Sequence, residues 1–411
     1  MKHIGTACLG LAAVLGLGCE DDNQHGLLRA EHIGALPDIP APREPLELSA
    51  QAECGSTDHE AGEGLYRYPY LQQLGTTRAQ VLWTAAEATP YTVEITTPEG
   101  DAVAKVPSAV DYAARPGDAF QHVAELEHLE PNRQYCYRLL SPDGEAVTDR
   151  LGLTTAPDGN EPMAFVAFGD SGYGGFDQAN VFARMLERPF DLAVHTGDVA
   201  YDAGTLAQFE RHVFQVYRPM LASVPMFPIA GNHDYKTAGG APFREVFSLP
   251  DNGTPEGVEQ YYSFDWGPVH FVGLDSEVMG TAQADWLDDD LAQTDKPWKL
   301  VFTHQPAYSS GKHGSNQAFR DLFGGILERR GVQLVLAGHD HHYERSKPIN
   351  GVTYVVTGGG GRGTRDTGAS SFTAFSIEVL HFVYVTVNSS ELRLYAIDGT
   401  GQEFDFAKLT R

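Results

Sequence analysis

The sequence predicts an α/β domain built as a two-sheet sandwich flanked by helices, preceded by a smaller all-β sandwich. Three observations carry this expectation. First, apolar runs in the C-terminal part stop abruptly at polar residues: MAFVAFG before Asp170, DLAVHTG before Asp198, PMFPIAG before Asn232, KLVFT before His304 and VQLVLAG before His339. Continuous apolar runs are the form of strands buried on both faces, and open α/β sheets place their sites at the strands' carboxyl ends. Second, helical stretches such as FDQANVFARMLERPF and SNQAFRDLFGGILERR lie between some of these runs, which is the alternation of an α/β architecture. Third, RAQVLWTA, YTVEITT, DAVAKVP, QHVAELEHL and RQYCYRLL are short β-rich segments separated by PEG and SPDG turns. Many short strands in so compact a stretch read as a β-sandwich.

The elements follow in order along the chain. It opens MKHIGTACLGLAAVLGLGC. The apolar run from Ile4 to Gly18 falls short of the roughly 20 residues that span a bilayer, so residues 1–18 read as an export signal. Gly16-Leu17-Gly18-Cys19 resembles a bacterial lipoprotein signal, in which Cys19 becomes the lipidated first residue. Gly16 departs from that pattern, where a large aliphatic residue is usual, and ordinary signal cleavage stays open. The expected location is the cell envelope, as an outer-membrane or periplasmic lipoprotein, or outside the cell. Residues 19–64 are acidic and rich in Pro and Gly, with EDDNQHG, LPDIPAPREP and ECGSTDHEAGEG, and read as a tether. Residues 65–158 hold the β-sandwich and residues 159–411 the α/β domain. Within the latter, YYSFDWGPVHFVGLD reads as a hairpin, and SFTAFSIEVL, HFVYVTVNS and ELRLYAID close the domain with antiparallel strands.

Composition narrows the function classes. The chain has 411 residues, 42% of them hydrophobic, and a formal net charge of −26. A chain of this length buries roughly 75% of its extended surface. The negative field repels nucleic acid and anionic membranes, so no nucleic-acid partner is expected. Any membrane contact is through the N-terminal lipid anchor. A small anionic substrate stays allowed, because bound cations reverse the potential locally. Four cysteines are present: Cys8, Cys19, Cys54 and Cys136. Cys8 leaves with the signal. Cys54 and Cys136 are then either one disulfide of an oxidising compartment or two unrelated thiols. Cys136 lies between Tyr135 and Tyr137 on a strand, so it faces away from the side those tyrosines share.

The chemistry lies in five blocks: Gly169-Asp170-Ser171-Gly172, Gly197-Asp198-Val199-Ala200-Tyr201, Gly231-Asn232-His233-Asp234, Val301-Phe302-Thr303-His304 and Gly338-His339-Asp340-His341. Each follows an apolar run and places an oxygen or imidazole donor on the turn leaving it. One such block is a weak signal, since Gly-Asp after a strand is common. Five together are not a packing pattern. Carboxylate, amide and imidazole donors suit Fe, Zn or Mn rather than thiophilic metals. So many donors exceed one tetrahedral site, whereas two ions about 3.5–4 Å apart sharing a carboxylate account for them.

The blocks resemble those of the purple acid phosphatases within the calcineurin-like metallophosphoesterases, whose pattern reads GDxG, GDxxY, GNH with an acid, VxxH and GHxH. GHDHHYER extends the last match. The preceding sandwich resembles the fibronectin type III-like domain of that family, an immunoglobulin-like fold. Trp83 would be its core tryptophan, and Leu129, Pro131 and Tyr135 its tyrosine corner. The resemblance implies the metallophosphoesterase fold and a dinuclear-metal hydrolase that cleaves phosphate monoesters of small molecules by in-line attack of a metal-bound hydroxide. It further implies that Asp170, Tyr201 and His341 hold Fe(III), that Asn232, His304 and His339 hold Fe(II), Zn(II) or Mn(II), and that Asp198 bridges them. His233 would contact the phosphate or protonate the leaving group. His313, in HQPAYSSGKHG, would face the phosphate, although Gly314 stands where the plant-type enzymes often carry a second histidine.

Neighbouring residues are read more modestly. Asp234 is expected to orient His233 or cap a following helix. Tyr343 and Glu344 are expected to support the ligand loop, and Asp275 to brace the site from outside. His195 and His270, inside apolar strands, read as core or supporting groups. GGGGRG at 358–363 lacks the lysine and serine of a phosphate-binding P-loop, and its Arg362 either meets the outer part of a substrate or is solvated. Two other functions stay open: a phosphodiesterase acting on nucleotide or phospholipid diesters, and a non-catalytic phosphate-binding lipoprotein. The sequence leaves the oligomeric state open.

Overall fold

The computed structural model describes Cys54 and residues 64–111, 119–255, 257 and 259–411. The export signal, Cys19 and nearly all of the 19–64 tether lie outside the described residues. Among the described residues, no helix is long and apolar enough to cross a membrane.

The N-terminal sandwich has eight strands: β1 (Leu65–Gln72), β2 (Ala79–Ala85), β3 (Thr92–Thr96), β4 (Ala102–Pro107), β5 (Ala109–Asp111), β6 (Phe120–Leu126), β7 (Gln134–Leu140) and β8 (Leu151–Thr154). They form two four-stranded sheets, β1-β2-β6-β5 and β4-β3-β7-β8. Trp83 is fully buried and stacks on His122 with ring centroids 5.3 Å apart. Tyr135 Oη accepts from the Glu130 amide at 2.9 Å, which is the corner expected of that tyrosine. Cys54 and Cys136 are bonded across 82 residues of chain. The bond ties the segment before the sandwich to β7 and restricts the unfolded chain.

The second part contains β9 (Met163–Phe168), β10 (Leu192–His195), β11 (Met226–Pro228), β12 (Tyr262–Trp266), β13 (Val269–Leu274), β14 (Trp298–Thr303), β15 (Leu334–Ala337), β16 (Tyr343–Ser346), β17 (Thr353–Thr357), β18 (Thr373–Ile377), β19 (His381–Val387), β20 (Glu391–Asp398) and β21 (Glu403–Thr410). One sheet has the order β11-β10-β9-β19-β20-β21 and the other β12-β13-β14-β15-β17-β16-β18. β9, β10 and β11 run parallel in the first, and β13, β14, β15 and β17 run parallel in the second. All six residues of β9 are buried, as a strand covered on both faces requires. The predicted hairpin is β12–β13, paired antiparallel from Tyr262–Gly273 to Trp266–Val269.

Helices cover the sheets. Phe176–Met185 buries Gln178, Val181, Phe182 and Met185, a stripe at helical spacing, and packs on β19. Asp177 in its first turn and Arg184 in its last complement the helix dipole. Thr281–Gln293 is a second such helix, one the sequence reading did not single out. The stretch 317–329 is helical but is broken by a π segment, Arg320–Gly324.

The two sandwiches share one core, and polar side chains pin them together. Arg67 on β1 is buried, pairs with Glu210 at 2.8 Å and lies over the Phe214 ring at 4.0 Å. Tyr70 and Tyr137 donate to the carbonyls of Val246 and Ala222. A buried arginine is tolerable only with such partners.

One ion cluster was not legible in the sequence. His270 on β13 lies 2.7 Å from Asp265 and 2.8 Å from Asp290. Burial favours the neutral ring, but the two carboxylates prevail and push its pKa up to about 9. A folded pKa above the ordinary value of about 6.5 stabilises the fold fully below that pH, and the contribution fades as pH rises toward 9. We expect His270→Gln to lower stability by about 1–3 kcal/mol at pH 6, and by much less at pH 9.5, in urea unfolding followed by circular dichroism. Equal losses at both pH values would contradict the charged assignment.

Candidate metal centre

All five blocks sit at the carboxyl ends of parallel strands. Asp170 follows β9, Asp198 and Tyr201 follow β10, and Asn232 follows β11. His304 follows β14, and His339 and His341 follow β15. The two sheets meet at this edge: the Gly169 amide, after β9, donates to Thr357 O on β17 at 3.0 Å, and the Thr196 carbonyl, after β10, lies 3.0 Å from His304 Nδ1, after β14. Ligands from both sheets therefore face a common volume.

The local backbone is unusual. Asp170, Asp198 and His339 all have positive φ, at 56°, 52° and 69°. Such left-handed conformations are uncommon outside glycine and cluster at functional sites. The glycines beside them serve close approach. A Cβ on Gly231 would lie 2.3 Å from Asp198 Oδ1, and one on Gly197 would enter the His304 ring.

The side chains gather in two groups joined by Asp198. In the first, Tyr201 Oη is 2.9 Å from Asp170 Oδ1 and 3.2 Å from His341 Nε2. In the second, His304 Nε2 is 3.1 Å from Asn232 Oδ1 and 3.2 Å from His339 Nδ1. Asp198 Oδ1 lies 3.5 Å from His304 Nε2, and one donor atom each of Asp170, Asp198 and His304 lie within 4.8 Å of one another. The structure thus brings together all seven residues that the sequence nominates as ligands.

Donor chemistry tests whether this set fits a metal. His304 Nδ1 is 3.0 Å from the Thr196 carbonyl, so its proton belongs there and its Nε2 lone pair points inward. That lone pair meets an amide oxygen, a carboxylate oxygen and a second imidazole nitrogen. Such a convergence is repulsive unless a cation occupies the centre, and two ions with oxygen and nitrogen ligands suit it.

The shell behind the ligands is specific. Asp234 departs from its expected roles: its carboxylate accepts from the amides of Val199, Ala200 and Gly231, each at 2.9 Å. It thereby ties the Asp198 turn to the Asn232 turn. His195 is buried, held neutral by burial with a pKa of about 3, and bonded to Ser171 Oγ at 2.8 Å. Asp275 takes the Tyr235 hydroxyl and braces the centre from beyond. Glu344 holds the amide and hydroxyl of Ser310, anchoring the loop that carries His313, while Tyr343 donates to Asp405 on β21 at 2.6 Å.

His233 and His313 flank the ligands. The His233 ring lies 4.4 Å from that of Tyr201, with Nε2 4.0 Å from Asp198 Oδ2 and Nδ1 2.7 Å from Asp202 O. His313 has its ring 4.3 Å from His339, its amide on Asp340, and its Nε2 2.5 Å from Arg365 Nη1. Lys236, Arg362 and Arg365 therefore form an island of positive charge beside the ligands of a chain whose net charge is −26. The sequence reading passed over Lys236 and Arg365. The spacing of Lys236 three residues after His233 was the available signal for the first.

Comparison with known proteins agrees with the geometry. Residues 163–343 match the calcineurin-like phosphoesterase family. The chain is similar to acid phosphatase type 7 of Mus musculus, 29% identical over 264 residues, covering 56% of this chain and 57% of that protein. It is also similar to purple acid phosphatase 21 of Arabidopsis thaliana, 29% identical over 261 residues and covering 58% of each. The matches thus span a little over half the length of these relatives. Among solved structures, purple acid phosphatase PPD1 from yellow lupin (Lupinus luteus) seeds aligns with a TM-score of 0.75 at 23% identity, covering 84% of this chain and 74% of that one. That likeness is one of fold.

Gly231 gives a test of the close packing. Gly231→Ala should weaken metal binding at least tenfold and cost about 1–3 kcal/mol of stability, because the added methyl overlaps Asp198. Metal titration by calorimetry would measure the first. Unchanged affinity would show that Asp198 need not hold its present position.

Proposed function

We propose that this chain, whose residues 163–343 match the calcineurin-like phosphoesterase family and which is similar to purple acid phosphatases over a little more than half its length, hydrolyses phosphate monoesters of small molecules. The observation that carries the proposal is the convergence of seven inward-facing donors beside an island of cationic side chains. Asp170, Tyr201 and His341 would hold one ion, and Asn232, His304 and His339 the other, with Asp198 serving both. Tyr201 as a phenolate is a hard anionic donor that suits Fe(III), leaving Fe(II), Zn(II) or Mn(II) for the second position. When bound, such a pair supplies Lewis-acid charge to the phosphoryl oxygens and makes water acidic enough to act as a nucleophile near neutral pH.

The chain's own residues handle position and protons. The cations of Lys236, Arg362 and Arg365 offset the protein's negative field where a phosphate dianion would enter. A water oxygen bonds to phosphorus as the ester P–O bond breaks on the opposite side. The departing oxygen needs a proton. His233 Nδ1 lies 2.7 Å from the Asp202 carbonyl and 2.8 Å from Lys236 Nζ, which itself reaches that carbonyl at 3.1 Å. With Lys236 turned to the carbonyl or to the phosphate, His233 holds a proton on each ring nitrogen, gives the one on Nε2 to the departing oxygen and regains it from water. His313 cannot offer a proton from Nε2 while that atom accepts from Arg365, so its part is to place Arg365 and to line the phosphate pocket. The Cys54–Cys136 bond supports an exported enzyme, held in the envelope by a lipid on Cys19 or released.

The test compares p-nitrophenyl phosphate with bis(p-nitrophenyl) phosphate for the metal-loaded chain. We expect kcat/KM to favour the monoester at least tenfold. Preference for the diester would replace the monoesterase reading with a phosphodiesterase, and turnover of neither would remove the enzyme. His233→Ala should keep both metals and lose roughly 100-fold in kcat on an alkyl phosphate, with a smaller loss on p-nitrophenyl phosphate, whose leaving group needs no proton. Equal losses on the two substrates would count against the proton-donor role.

A further inference from the structure

Resting on the phosphatase reading, we propose that Tyr173 and Arg362 form a stacking shelf beside the metal centre that selects nucleoside monophosphates among phosphate monoesters. Tyr173 follows Asp170 closely on the turn leaving β9, and its side chain is 47% exposed. Phe176, which opens the helix after this turn, is 81% exposed. Large exposed apolar side chains are few among the described residues, and two of them lie within this turn and the start of the helix after it. The guanidinium of Arg362 lies 4.2 Å from the Tyr173 ring centroid and 5.4 Å from that of Tyr201. Its Nη2 is 3.3 Å from Asp202 Oδ1.

The shelf is held from behind. Gln178 is fully buried, and its side-chain oxygen accepts from the amides of Tyr173 at 3.1 Å and Gly174 at 2.7 Å. Its side-chain nitrogen donates to His212 O at 2.7 Å. The Arg362 amide donates to Asp170 O at 2.9 Å, and Gly361 before it passes so close to Gln178 that a Cβ there would be 2.6 Å from Gln178 Cα. Both halves of the shelf are therefore anchored by backbone to the same turn that carries a metal ligand. A platform fixed in advance loses little conformational freedom when a ring settles on it.

The order of the groups selects the substrate. Arg362 stands between Tyr201, at the metal centre, and Tyr173, outside it. Tyr201 is buried and Tyr173 exposed, so Tyr173 is the outer of the two rings that Arg362 approaches, and a substrate ring that stacks on it needs a spacer, such as one sugar, between itself and the phosphate. Nucleobases stack on tyrosine and arginine faces alike, and the exposed polar edges of the shelf leave their hydrogen-bonding atoms in water.

The experiment uses AMP and ribose 5-phosphate, which differ only in the base, with p-nitrophenyl phosphate as a measure of the chemistry. The metal-loaded chain should show a kcat/KM for AMP roughly tenfold or more above that for ribose 5-phosphate. Tyr173→Ala should bring that ratio close to one, and Tyr173→Phe should preserve it. A ratio near one in the unaltered chain, or a ratio unchanged in Tyr173→Ala, would overturn the shelf while turnover of p-nitrophenyl phosphate leaves the phosphatase intact. Loss of all turnover in the unaltered chain would instead overturn the phosphatase and the shelf with it.

Discussion

Seven donor side chains crowd their lone pairs and charges into one small volume, and the repulsion among them is the constraint the rest of the site answers to. Asn232 Oδ1, His304 Nε2 and His339 Nδ1 face one another at little more than 3 Å, and two carboxylates lie alongside. Without a cation these atoms have to share protons or turn apart. Metal cations would remove the repulsion by occupying the centre, and the surrounding backbone supplies the rigidity that keeps the donors from turning outward.

That rigidity comes from the fold in a traceable way. Parallel strands of two sheets end at one edge, so turns from both sheets reach the same point. Each turn must then bend sharply within a residue or two, and the left-handed conformations of Asp170, Asp198 and His339 are the local cost. Asp234, with three amide donors on its carboxylate, binds two of these turns into one unit. The N-terminal sandwich contributes at a distance. Its buried Arg67 and its tyrosines pack against the segments on either side of β11, at Glu210, Ala222 and Val246, and hold the rim of the second part in place.

Much of this was legible in the sequence because strand-ending motifs are local. The five blocks, the two sandwiches, the hairpin and the closing antiparallel strands could all be read from runs of apolar residues and the polar residues that end them. What escaped depends on contacts far apart in the chain. Strands β1, β5, β8, β16 and β21 are short or mixed in pattern and owe their form to neighbours they pair with. The role of Asp234 could not be seen, because its partners at Val199 and Ala200 meet it only when β10 and β11 lie side by side. His270 looked like a core histidine, since one of its carboxylates comes from a helix that carries no distinctive periodic signal. Arg362 and Arg365 sat in a glycine-rich stretch whose sequence says little about where its side chains point.

The account turns on the number of ions these side chains hold. Metal analysis of the chain purified without chelator, read together with its visible spectrum, measures this most directly. Two ions per chain, with an absorption band that disappears in Tyr201→Phe, is the result predicted here. A single ion at saturation, or two ions with a spectrum indifferent to Tyr201, would contradict it.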